Sequence, residues 1–68
     1  MDFVLINRGN LVGFQAETDQ AKLWLDWQYT NGYMDGSSAH WSQDVLWIPN
    51  TGEATFFIQD IKQAGFTV

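Results

Sequence analysis

Four tryptophans, five phenylalanines and two tyrosines occur in a chain of 68 residues that has no cysteine. That combination constrains the fold more than any other feature. A body this small buries a modest fraction of its surface, and chains of this size commonly rely on disulfides, a metal or a partner subunit. Disulfides are closed to this chain. A structural zinc of the usual ligand sets is closed too, because His40 is the only histidine. A hydrophobic core must therefore hold the fold, and each large ring supplies roughly 150–250 Å² of buried area. No metal or other cofactor is expected.

Eight carboxylates against three cations give a net charge of −5. Nucleic-acid phosphates and anionic membranes would need the opposite sign, so neither is expected as a partner. A basic protein surface is compatible with this charge, and so is plain solubility. No apolar run approaches the roughly 20 residues that span a bilayer. The start, Met1–Asp2, has no basic stretch before an apolar segment, which speaks against a secretory signal. A cytoplasmic location is the expectation.

Phe3 to Ile6 is an apolar run of β-formers, and Asn7 to Asn10 reads as a turn around Gly9. Leu11, Val12 and Phe14 suggest a second strand ending near Gln15. Gly13 within it marks a bulge or a close crossing. Thr18 is a good N-cap for a helix over about 19–30, with Asp19 in its first turn. Ala21, Trp24, Leu25 and Gln28 line its inner face, with Leu23 and Trp27 on the shoulder. Lys22 and Asp26 make an i,i+4 pair on the other side. Asn31 and Gly32 supply the stop.

Tyr33 to Ser42 reads as a surface loop. Val45 to Ile48, ahead of Pro49, suits a strand buried on both faces. Asn50 followed by Glu53 resembles a capping box opening a second helix to about Ala64. Its inner stripe is Ala54, Phe57, Ile58, Ile61 and Ala64. Gly65 closes it, and Phe66 to Val68 can add a last strand or pair with a second chain. The expected object is a single α/β (or α+β) domain over 1–68, without internal repeats. Its element order is β-β-α-β-α-β, with two helices on one face of a small mixed sheet.

The stretch Glu17 to Leu25 contains Thr-x-x-Ala-x-x-Trp, and the chain closes on Gly65-Phe66-Thr67-Val68. Both features resemble very small, mostly uncharacterised proteins of phages and mobile bacterial elements. Those carry the same helix start and a Gly-Phe/Leu-x-Val after an amphipathic last helix. The resemblance implies a compact α/β fold and a mobile-element origin, and carries over no active site. Many of those proteins have basic residues before the last helix, where this chain has Val45 to Asn50.

His40, with Ser37, Ser38, Ser42 and Asp44 near it in sequence, is the one candidate for hydrolase chemistry. A triad needs a nucleophile about 3 Å from the imidazole and a carboxylate behind it. Sequence neighbours in a loop seldom meet that geometry, and no nucleophile elbow is present. The carboxylates read as solvated face residues, so no catalytic residue is assigned. The aromatic residues are the better candidates. Phe56 falls opposite the inner stripe of its helix, Trp27 sits at the edge of an apolar face, and Tyr33 and Trp41 lie in or beside the loop. Such side chains anchor protein interfaces, and Asp19, Asp26 and Asp60 would set orientation and on-rate. The expectation is a small acidic protein-binding module and not an enzyme. In a phage or mobile element it would inhibit a host protein. A structural homodimer and a small hydrolase built on the His40 loop are the alternatives.

Overall fold

The computed structural model describes residues 1–31 and 39–68. Strand β1 (Phe3–Arg8) and strand β2 (Leu11–Ala16) form a hairpin. Gly9, at φ 69°, takes the first position of its two-residue turn, and its amide donates to Asn7 Oδ1 at 3.0 Å. A turn of that sense needs positive φ there, which glycine reaches without a Cβ clash. Helix α1 (Asp19–Thr30) follows, then strands β3 (His40–Ser42) and β4 (Val45–Pro49), and finally helix α2 (Gly52–Gln63). The sheet order is β1-β2-β4-β3, antiparallel throughout.

The α/β class, the four strands and the two helices stand as expected. One strand comes from a different segment. His40–Ser42, read from sequence as loop, pairs with β4 (Trp41 opposite Leu46). Three residues with a single apolar member give no strand signal. The turn that follows, Gln43 (φ 52°) and Asp44 (φ 66°), lacks the glycine that would announce it. Phe66–Val68, conversely, form no strand. Gly65 at φ 93° ends α2 in a Schellman arrangement: its amide donates to Lys62 O at 3.0 Å, and that of Phe66 to Ile61 O at 3.1 Å. The chain thereby folds Phe66 back onto the core.

The tail beyond is tied down by Asp2. Its carboxylate accepts from the Thr67 amide at 2.9 Å, the Thr67 hydroxyl at 3.2 Å and the Thr18 hydroxyl at 3.3 Å. The Phe3 amide donates to Thr67 O at 3.1 Å. The tail therefore covers the start of the β1 edge with a single ladder-like bond, and the sheet stays antiparallel where a mixed one was expected.

Both helices begin on a threonine cap. Thr18 Oγ1 accepts from the Ala21 amide at 3.1 Å, as expected. For α2 the cap is Thr51, which accepts from the Glu53 amide at 3.3 Å; Asn50 was the expected cap. Asn50 instead donates from Nδ2 to Gly9 O at 2.9 Å and from its amide to Asn10 O at 2.9 Å. It joins the helix start to the first hairpin turn.

The chain is a doubled β-β-α unit, which corrects the expectation of no internal repeat. Thr18-x-x-Ala21-x-x-Trp24 recurs as Thr51-x-x-Ala54-x-x-Phe57. In each copy the threonine caps, the alanine is buried and the aromatic packs inward. Trp24 and Phe57 stack on one another, ring centroids 5.6 Å apart. Phe14 meets Phe57 edge-on at 4.9 Å, and Phe3 contacts Trp24 at 6.0 Å and Phe66 at 5.7 Å. Pairs in these geometries add about 0.5–1.5 kcal/mol each beyond area burial. The core on this face also takes in Val12, Leu25, Leu46, Ile48 and Ile61. Both helices thus lie on one face, as expected. Ala64, placed in the inner stripe from sequence, is the exposed C-cap.

Candidate functional site

The aromatic residues divide into a set that completes the core and a set that does not. Phe3, Phe14, Trp24, Phe57 and Phe66 belong to the first. Trp27 (59% exposed) and Phe56 (64%) belong to the second. Leu23, 70% exposed, joins them. The Trp24–Phe57 stack fixes which flanks of α1 and α2 face each other. At 100° per residue, Leu23 and Phe56 sit about 100° outward of the stacked rings, in equivalent positions of the two repeats. Trp27 lies about 60° from Trp24 in the same sense. Asp60 holds the equivalent place on α2 and is half-buried. Trp27, Phe56 and Asp60, singled out from sequence, therefore share one outer helical surface.

Leu23 does not stand out in this way in the sequence, where it falls on the shoulder of a buried face. Its i,i+4 spacing from Trp27, and its match to Phe56 in the repeat, were the signals available. Asp19 is exposed in the first turn of α1, where a carboxylate favours the unpaired amides.

Trp41 and Asp26 come together elsewhere. Trp41 is half-buried on β3, edge-on to Tyr29 at 5.8 Å, and packs against the core. A groove of about 420 Å³ between α1 and the β2–β3 end of the sheet is lined by Gln15, Ala16, Lys22, Leu25, Asp26, Trp41 and Asp44. Lys22 and Asp26 share its wall. Among the described residues no ion pair joins them, so the expected i,i+4 bridge is not made. Tyr33 lies outside the described residues, as do Gly32, Ser37 and Ser38.

The face of the sheet away from the helices is built differently. Val45 and Trp47 of β4 are buried there, with no helix or strand laid over them among the described residues. Trp47 lies on Gly13: a Cβ built at that glycine would stand 2.8 Å from Trp47 Cζ3 and 2.7 Å from Val45 Cγ1. The Arg8 guanidinium sits 4.7 Å above the Trp47 ring, a cation–π contact. Gly13 thus marks the close crossing that its place in a strand suggested. A second groove on this face is lined by Ile6, Arg8, Gln15, Ser42, Gln43, Val45 and Trp47.

His40, Ser42 and Asp44 are all exposed, and among the described residues no polar or charged side chain is buried. No group of three or more histidine, aspartate or glutamate side chains is placed to hold a metal ion among the described residues. No described helix is long and apolar enough to cross a membrane. The carboxylate of Asp2 has a displaced titration. The backbone hydrogen bond from Thr67 holds it below its ordinary value, helped by the Thr67 and Thr18 hydroxyls. That is a structural clasp at the chain ends. Comparison of the chain with protein-family models, with curated proteins and with solved structures finds no match.

Proposed function

We propose that the protein is a binding module whose working surface is the outer face of its two helices. The observation that carries this is the joint exposure of Leu23, Trp27 and Phe56 in a chain whose other rings suffice to complete the core. Large rings that remain in water in so small a body have a use in burying area against a partner. Asp19 and Asp60 lie on the same two helices, and Lys22 and Lys62 are the only cations these helices carry. The surface therefore fits a partner that is apolar at its centre and basic at its rim, with the carboxylates raising the association rate.

In the setting implied by the resemblance to phage and mobile-element proteins, such a module acts in the cytoplasm as an inhibitor. It occupies the basic surface of a host protein. A homodimer through the same side chains would double a net charge of −5, which opposes self-association at low salt.

The test uses an amphipathic helical peptide of leucine and lysine, and its leucine–glutamate counterpart, titrated calorimetrically into the protein. The lysine peptide is expected to bind and the glutamate peptide not to. Replacing Leu23, Trp27 and Phe56 by serine is expected to remove binding while leaving the circular dichroism spectrum intact. Undiminished binding to the triple variant would overturn the assignment.

A further inference from the structure

The groove beside α1 has a composition that the helical surface does not share. Its apolar wall is Leu25, Ala16 and the half-buried ring of Trp41, and its polar wall holds the carboxylates of Asp26 and Asp44. Neither carboxylate is engaged by a cation of this chain among the described residues. Lys22 lies on the same wall and is exposed, so it can turn its ammonium into water along a flexible stem. An aromatic plane next to two carboxylates is complementary to a cation that is itself flat. At about 420 Å³ the groove falls within the size range of sites that enclose a small ligand or a side chain.

From this we infer that the groove is a receptor for a guanidinium group: the side chain of an arginine presented by a protein partner. The guanidinium stacks on Trp41 and donates to Asp26 and Asp44, while its methylene stem covers Leu25 and Ala16. Guanidinium suits the site better than ammonium because it is planar, weakly hydrated and carries several donors in one plane. The molecule already displays this pairing once, where Arg8 lies over Trp47 at 4.7 Å on the far side of the sheet. Tyr29 meets Trp41 edge-on and holds the ring in place. The site stands on its own residues and does not depend on the helical surface proposed above.

Backbone and indole amide shifts are followed by NMR as N-acetyl-arginine amide is titrated into the protein. N-acetyl-citrulline amide serves as the uncharged isostere, and N-acetyl-lysine amide as the compact cation. The arginine compound is expected to give saturable shifts at Trp41, Asp26 and Asp44, weakened about tenfold or more in Asp26→Asn/Asp44→Asn. Citrulline should leave those signals in place, and lysine should bind several-fold more weakly. The surface variant Leu23→Ser/Trp27→Ser/Phe56→Ser should respond to arginine as the parent does. That separates failure of this site from failure of the helical surface. Equal responses to arginine and citrulline would overturn the inference, as would absence of shifts at these residues. A lysine response equal to that of arginine would overturn the choice of guanidinium. Because both substituted aspartates are exposed, the double variant should fold, and its unaltered amide spectrum away from the groove checks this.

Discussion

The two faces of the sheet bury the same strand by different means. On one face Leu46 and Ile48 of β4 lie under two helices, in a core dominated by edge-on and stacked rings. On the other, Val45 and Trp47 reach 7% and 6% exposure with no helix or strand above them among the described residues. Among the described residues, what packs there is one tryptophan laid across a glycine and roofed by an arginine. The covered face is a cooperative packing of many side chains. On the other face the described contacts centre on one close approach, that of Trp47 to Gly13 beneath Arg8.

The largest expected effect falls on the covered face. Phe57 is fully buried and touches both Phe14 and Trp24. Phe57→Ala should cost roughly 3–5 kcal/mol, by lost transfer energy and a cavity that the surrounding rings cannot fill. Urea unfolding followed by tryptophan fluorescence measures it. A loss under 1 kcal/mol would mean that the core is less tightly packed than described. On the open face, Gly13→Ala should cost about 1–3 kcal/mol, because the added methyl must displace Trp47 and Val45. Trp47→Leu in the same background should relieve the part of that cost that comes from the ring. The two changes are then non-additive by about 1 kcal/mol or more, as expected for side chains in contact. Strict additivity would remove Trp47 from its place over the glycine.

A smaller effect, of opposite sign, is expected at the turn joining β3 to β4. Gln43 and Asp44 both occupy left-handed backbone, which costs an ordinary L-residue about 1–2 kcal/mol and glycine almost nothing. Gln43→Asn/Asp44→Gly, the preferred pair for such a turn, should stabilise by about 1 kcal/mol, read as a raised thermal midpoint. A lowered midpoint would contradict the turn geometry.

The smallest effect belongs to neither face. Asp2 titrates below its ordinary value because the native state hydrogen-bonds its charged form. Its contribution is therefore complete above the unfolded-state value and is lost as pH falls through the lower, folded-state value. Asp2→Asn should lower the thermal midpoint at neutral pH, with the gap from the parent closing as the solution is acidified. A gap independent of pH would show that the carboxylate charge plays no part in the clasp.

Much of this was legible in the sequence. The 3.6-residue periodicity of Ala21, Leu25, Ala54, Phe57 and Ile61 gave the helices and their inner faces. Thr18 gave a cap, and Gly9 gave the first turn. The apolar run from Val45 to Ile48 gave a strand buried on both faces. How its second face is buried could not be read, because the Trp47–Gly13 crossing depends on register between β2 and β4. Strand β3 was hidden for a related reason: its partner supplies the pairing, and its own three residues carry almost no pattern. The repeat was obscured because Trp24 is matched by a phenylalanine and Leu25 by Ile58, so only the threonine, the alanine and an aromatic persist.

The candidate surface was half legible. Phe56 stands out as an apolar residue opposite the inner stripe of its helix, and Trp27 as a large ring at the edge of an apolar face. Leu23, on the same shoulder as Trp27, does not, because it carries no ring. The meeting of Asp26 with Trp41 and Asp44 joins segments that only the folded chain brings to one groove.

On the function proposed, Leu23, Trp27 and Phe56 stay exposed for a different protein, and not for a second copy of this one. The most direct test is the solution mass of the isolated protein by size-exclusion chromatography with light scattering, over a tenfold or larger range of concentration. A monomer of 7.8 kDa is expected throughout. A persistent species of twice that mass, dissociated by serine at Leu23, Trp27 and Phe56, would assign the surface to self-association and contradict the function proposed.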